Sequence, residues 1–184
     1  MNLPNKLTIL RVIMIPLFMA LYVIKSPVCF GVFGVEITWT MLLADLVFIL
    51  ASVTDWADGY IARKEGIVTN FGKFMDPLAD KLLVTAALLC MMADGVTNLW
   101  VVMIILAREF IVTGVRLIAA SDGKVIAAGK MGKLKTVVQM ITIIIAILTG
   151  RNILTDILFW VSAALTAISG YGYIKDNLHV FKTE

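Results

Sequence analysis

Six long apolar segments, separated by short polar breaks, constrain this 184-residue chain more than any other feature. They cover residues 7–24, 38–62, 76–93, 98–120, 133–149 and 153–174. A helix needs about 20 mostly apolar residues to cross the hydrocarbon core of a bilayer. With 60% hydrophobic and 16% charged residues, the chain has too few polar side chains for a water-soluble domain. We therefore predict an all-α, polytopic membrane protein, with six transmembrane helices in one bundle and a single domain over residues 1–184.

Lysine and arginine are divided unevenly between the two ends of this predicted bundle. Twelve of them lie at the end that holds both termini, whereas the opposite connections hold Lys25 and Arg151. Positively charged connections are retained on the cytoplasmic side of a membrane. The sequence therefore predicts cytoplasmic termini, in the cell membrane. The net charge of +3 comes from basic residues placed in this way, beside the membrane surface. We therefore expect membrane lipids as partners, and we do not expect nucleic acid.

Four aspartates interrupt the apolar pattern within 26 residues. Asp55 and Asp58 end the second run at i and i+3, and Asp76 and Asp80 begin the third at i and i+4. On helices, these spacings place each pair on one face, and a carboxylate in hydrocarbon costs about 2.5–3.5 kcal/mol on insertion scales. Ligands that are all oxygen favour hard cations such as Mg²⁺ or Mn²⁺. The alternative, ion pairing with nearby lysines and arginines in a solvated rim, explains one such aspartate better than four.

Residues 55–80 as a whole read D-x2-D-G-x2-A-R-x8-G-x3-D-x3-D. This pattern resembles the signature of the CDP-alcohol phosphotransferases at all eight fixed positions, and six spans agree with that family's fold. The resemblance implies a two-metal site on the four aspartates, with Asp80 also acting as the general base. It further implies contacts to the CDP group from Asn5, Thr8, Asp58, Gly59, Ala62 and Arg63.

Softer cues in four other segments resemble the bacterial phosphatidylglycerophosphate synthase branch of that family. These segments are residues 2–11, 76–81, 108–110 and 132–136. The resemblance implies CDP-diacylglycerol as donor, sn-glycerol 3-phosphate as acceptor, and a homodimer. A dianionic acceptor phosphate needs cations beyond those that hold the donor. The available set is Lys81, Arg108, Arg116, Lys133 and Lys135.

Two kinds of alternative stay open at this point: simpler roles for these cations, and other functions for the whole protein. Arg108 can form an ion pair with its neighbour Glu109, and Lys133 and Lys135 can serve topology alone. Within the family, the acceptor can instead be that of a cardiolipin or phosphatidylinositol-phosphate synthase. Outside it, a divalent-cation transporter would require carboxylates near the midplane and a path to both faces. A structural membrane protein would use the aspartates for helix association.

Overall fold

The structure is a computed structural model that describes residues 3–24, 26–32, 35–65, 70–121 and 129–177. Within these ranges, the side chains of residues 3–5, 32, 35, 55–65, 70–77, 80, 121 and 130 are not described. The helices are α1 (Leu3–Val23), α2 (Trp39–Glu65), α3 (Asn70–Ala93), α4 (Leu99–Ser121), α5 (Lys130–Thr149) and α6 (Ile153–Asp176). Two strands, β1 (Val28–Val32) and β2 (Val35–Thr38), lie between α1 and α2.

The described fold is mostly helical, and each helix lies over one of the six apolar runs. Three described segments are long and apolar enough to cross a membrane: Lys6–Val23, Met131–Thr149 and Ile153–Asp176. Two shorter apolar segments lie in α2 and α3, at Trp39–Thr54 and Lys81–Ala93. In α4, every 18-residue stretch contains three charged residues, Arg108, Glu109 and Arg116. These helices indicate a membrane protein, and α4 is the described helix whose charges most need partners.

Side chains from all six helices form one apolar core. Its largest members include Phe18 of α1 and Phe48 of α2, both fully buried, with ring centroids 5.8 Å apart. Small side chains lie beside them, with Ala44 and Ala51 on α2 and Ala87 on α3 all fully buried. In a membrane, where lipid is as apolar as leucine, small residues favour helix association by allowing close backbone approach. Close packing of this kind joins α1, α2 and α3.

The two strands form an antiparallel hairpin that the sequence prediction did not contain. Val28 pairs with Thr38 and Phe30 with Ile37, with a register irregularity between Val28 and Phe30. Thr40, at the start of α2, bonds to the segment that follows α1: its N donates to Ser26 Oγ at 3.1 Å, and its Oγ1 donates to the Ile24 carbonyl at 2.8 Å. These bonds fasten the start of α2 to the end of α1 at the base of the hairpin.

A three-residue connection joins α5 to α6. Gly150 has φ +60° and ψ −154°, a conformation that residues with a side chain avoid, and its N–H donates to the Ala146 carbonyl at 3.0 Å. Asn152 then caps α6 in a reciprocal pair: Thr155 N donates to Asn152 Oδ1 and Asn152 N donates to Thr155 Oγ1, each at 2.9 Å. The chain thereby passes from α5 to α6 in three residues, and the N–H groups of Gly150, Asn152 and Thr155 are all hydrogen-bonded.

Candidate active site

The four predicted metal ligands lie on two helices that contact each other. Asp55 and Asp58 are in the C-terminal part of α2, and Asp76 and Asp80 are in the N-terminal part of α3. Since the backbone is helical at all four, each pair occupies one side of its helix. Their side chains lie outside the described residues, as do those of the predicted CDP contacts Asn5, Gly59, Ala62 and Arg63. Among the side chains that are described, no group of three or more His, Cys, Asp or Glu could hold a metal ion.

Four of the five predicted acceptor cations line one cavity of about 320 Å³. Lys81 reaches it from α3, Arg108 and Arg116 from α4, and Lys133 from α5. Because Lys81 directly follows Asp80, the cavity lies beside the aspartate-bearing end of α3. Glu109 is the one carboxylate among its described lining residues. The described wall thus carries excess positive charge, which suits an anion with more than one negative charge.

The fifth predicted cation, Lys135, lies deeper in the bundle. Its side chain is only 5% exposed, and its Nζ donates to Glu109 Oε1 and to Gln139 Oε1, the latter at 3.2 Å. It lines a second, neighbouring cavity together with Lys81, Glu109 and Gln139. Lys135 therefore lies behind the first cavity, with Glu109 and Lys81 shared by the two cavities.

Glu109 joins cations from two helices. Its Oε1 accepts from Arg108 Nη1 at 3.0 Å as well as from Lys135 Nζ. Removing one partner of a buried ion pair leaves an uncompensated charge, which makes Glu109 important for both cations. The ion pair considered for Arg108 is therefore present, and Arg108 lines the cavity as well. Sequence reasoning gave Glu109 no further role, although a carboxylate inside an apolar run is itself a signal for a function.

Tyr173 of α6 orients Arg116 at the exposed edge of the cavity. Arg116 Nε donates to Tyr173 Oη at 3.2 Å, and the guanidinium carbon lies 5.5 Å from the centroid of the tyrosine ring. A cation over an aromatic face is attracted by the electron density of the ring. Sequence reasoning did not identify Tyr173, because nothing in the local pattern links it to a residue 57 positions earlier.

Thr8, a predicted CDP contact, is fully buried on α1. Arg11, three residues later and on the same side of the helix, is also fully buried. Sequence reasoning used Arg11 for topology and as the end of the segment 2–11, without giving it a role in the site. A buried arginine in a spanning segment usually faces the bundle interior and marks a functional or paired position, which is the signal that could have identified it. The contact of Thr8 with the nucleotide stays a prediction.

Comparison with known proteins identifies the family. The family model described as CDP-alcohol phosphatidyltransferase matches residues 1–168. Three similar proteins share the name CDP-diacylglycerol--glycerol-3-phosphate 3-phosphatidyltransferase. The Bacillus subtilis protein is 42% identical (99% of this chain, 98% of the relative), the Rickettsia bellii protein 39% (95% and 94%) and the Escherichia coli K12 protein 36% (95% and 93%).

These matches confirm the family predicted from residues 55–80. An enzyme, rather than a cation transporter or a structural membrane protein, accounts for the spacing of the aspartates and glycines in that segment. This chain belongs to the CDP-alcohol phosphatidyltransferase family and is a transferase.

Proposed function

We propose that this enzyme transfers the phosphatidyl group of CDP-diacylglycerol to sn-glycerol 3-phosphate, releasing CMP and forming phosphatidylglycerophosphate. The observation that carries the proposal is that relatives 36–42% identical to the chain, over nearly its full length, bear the name of this activity. The cation-lined cavity supports a phosphorylated acceptor, and the names of the relatives select glycerol 3-phosphate among such acceptors.

The first cavity supports the choice of a phosphorylated acceptor. Four cationic side chains from three helices surround it, against one described carboxylate. A phosphate monoester carries close to two negative charges at neutral pH and has three acceptor oxygens, whereas serine offers no such group. We propose that Lys81, Arg108, Arg116 and Lys133 bind the acceptor phosphate directly. Lys135, which is bonded to Glu109, would support this site without binding the phosphate directly.

The donor site is proposed on the aspartates of α2 and α3. Their oxygen-only donor set fits Mg²⁺ or Mn²⁺, and the family is generally dependent on divalent metals. Bound metal would neutralise the diphosphate and the charge on departing CMP. We assign the two-metal site to Asp55, Asp58, Asp76 and Asp80, and CDP contacts to Asp58 and to the residues Asn5, Thr8, Gly59, Ala62 and Arg63.

In the proposed reaction, Asp80 accepts the proton of the acceptor hydroxyl. The hydroxyl oxygen forms a bond to the phosphorus that bears the diacylglycerol, and the bond from that phosphorus to the oxygen of CMP breaks. Phosphoryl transfer depends mainly on positioning and charge stabilisation. The cations around the acceptor, the base Asp80 and the metal that the aspartates would hold could supply both, and no serine or histidine nucleophile is needed.

We further propose six membrane spans, with both termini and the active site facing the cytoplasm of the cell. The distribution of lysine and arginine supports this orientation. It also places the cavity, whose cations include Arg116 near the end of α4 and Lys133 near the start of α5, at the cytoplasmic end. The proposed homodimer depends on the family resemblance alone.

An acceptor panel tests the proposed function. Purified protein is given CDP-diacylglycerol with Mg²⁺ or Mn²⁺, and CMP release is measured with glycerol 3-phosphate, serine, phosphatidylglycerol or inositol phosphate as acceptor. We expect the highest kcat/KM with glycerol 3-phosphate and no turnover when the metal is chelated. Faster turnover with another acceptor would assign a different branch of the family, and turnover with serine would contradict the role of the cations.

A further inference from the structure

Arg108 extends from α4 across the surfaces of two other helices. An ideal Cβ built on Gly170 of α6 would lie 2.8 Å from Arg108 Cγ, so the aliphatic stem lies directly on the backbone of α6. At its other end, Arg108 Nη2 lies 3.4 Å from the equivalent Cβ position on Gly132 of α5. The side chain is thereby enclosed between α5 and α6, and only 12% of it is exposed.

The polar end of Arg108 has a described hydrogen bond at one of its nitrogen atoms. Nη1 donates to Glu109 Oε1 at 3.0 Å, whereas Nε is buried and has no hydrogen-bond partner among the residues that the structure describes. The direction of the guanidinium group therefore depends on where its stem is packed as well as on this ion pair. The stem contact at Gly170 is the closest that fixes it, because it involves Cγ, which cannot swing away as the end of a flexible chain can.

We propose that Gly170 is a positioning residue for acceptor binding: its missing side chain leaves the space that directs Arg108 into the cation-lined cavity. This inference rests on the proposed function, since Arg108 is assigned there to the acceptor phosphate. Carbon atoms in ordinary contact are about 3.5–4.0 Å apart, so a methyl group at position 170 has to move the stem by roughly 1 Å. Displacements of that size lower turnover by as much as about a hundredfold when they misplace a binding group.

Gly172 provides a matched control on the same helix. A Cβ built on Gly172 meets nothing within 4 Å, so Gly172→Ala adds the same methyl group to α6 without touching Arg108. Both substitutions replace glycine by alanine in a helix and bring the same gain in helix propensity. A difference between the two variants therefore reports the contact with Arg108 and not the backbone.

The experiment measures two-substrate kinetics of the full-length protein in mixed micelles. For Gly170→Ala we expect kcat/KM for glycerol 3-phosphate to fall on the order of tenfold, while KM for CDP-diacylglycerol changes by less than about twofold. Gly172→Ala should match the wild type. In an Arg108→Ala background, Gly170→Ala should have no further effect, since no stem remains to be displaced.

Several outcomes would overturn the inference. One is equal behaviour of Gly170→Ala and Gly172→Ala, and a second is an equal loss for donor and acceptor. A third is an effect of Gly170→Ala that persists at full size in the Arg108→Ala background, which would indicate general helix packing. Failure of the proposed function looks different: the wild type itself would prefer another acceptor, and the same comparison would then be made with that acceptor.

Discussion

The pairing of Glu109 with Arg108 and Lys135 gives a quantitative prediction for stability. Glu109→Gln keeps the shape of the side chain but removes the negative charge shared by two cations whose exposed fractions are 12% and 5%. Breaking a fully buried ion pair costs about 3–5 kcal/mol. Because the side chain of Glu109 is 18% exposed, we expect the lower end of that range, about 3 kcal/mol. Lys135→Met should cost less, about 1–3 kcal/mol, because Glu109 keeps its bond to Arg108. The double variant should lose less than the sum of the two, by about 0.5–3 kcal/mol.

The assay is the free energy of unfolding in mixed micelles, followed by tryptophan fluorescence as denaturant increases. Arg151→Ala is the control, because it breaks an ion pair with Asp156 that is 3.6 Å long and has partners 67% and 43% exposed. Such a surface pair contributes at most about 1 kcal/mol. If Glu109→Gln destabilised the protein no more than Arg151→Ala, or if the effects of Glu109→Gln and Lys135→Met were additive, the charge-balancing role of Glu109 would be refuted.

Two further predictions concern catalysis and a helix end. Asp80→Asn should abolish CMP release while CDP-diacylglycerol still binds, because the amide cannot accept the proton of the acceptor; normal turnover would remove Asp80 as the base. Asn152→Ala should lower the free energy of unfolding by about 1 kcal/mol, because Thr155 N loses the acceptor that caps α6. Asn152→Ser, which keeps a capping oxygen, should stay close to the wild type, and an equal loss in both variants would show that the cap is unimportant.

The helices were predictable because apolar runs and charged breaks act on the chain locally. Their ends differ from the predicted bounds by up to six residues, and the largest difference is at the start of α3.

The hairpin was missed because residues 28–38 are too few to span a bilayer and were treated as a connection. A signal was present, since valine, phenylalanine, isoleucine and threonine flank Gly34. Two strands alone are only marginally stable, however, and the burial of Ile37 and the bonds of Thr40 come from tertiary structure.

The set of cations was predictable from charge, but their division into two groups was not recognised. Successive residues on a helix are turned by 100°, so Lys133 and Lys135 are turned by about 200° and cannot face one site equally. In the structure, Lys133 is exposed on the cavity wall, and Lys135 is buried against Glu109. Which of the two turns inward depends on the rotation of α5 about its axis. Because α5 is apolar on most sides, its sequence does not determine that rotation.

The placement of Arg108 could not be predicted from sequence at all. Glycine at position 170 has many possible roles, and only the approach of α4 to α6 reveals the contact with the arginine stem. The same holds for Tyr173 and Arg116. Sequence thus predicted which residue types the chemistry needs, whereas the contacts that direct them come from helices distant in the chain.

The tight turn at Gly150 has a consequence for biogenesis. α5 and α6 are each apolar and long enough to enter a bilayer, and the short turn between them has the N–H groups of Gly150 and Asn152 hydrogen-bonded, so the two can insert as a unit. If α4 crosses the bilayer as proposed, its charged centre finds Lys135 and the groove at Gly170 only on that unit. The helix synthesised fourth would then reach its stable depth after the fifth and sixth have arrived, and a chain truncated before α5 would leave α4 without Lys135, Tyr173 and the groove at Gly170.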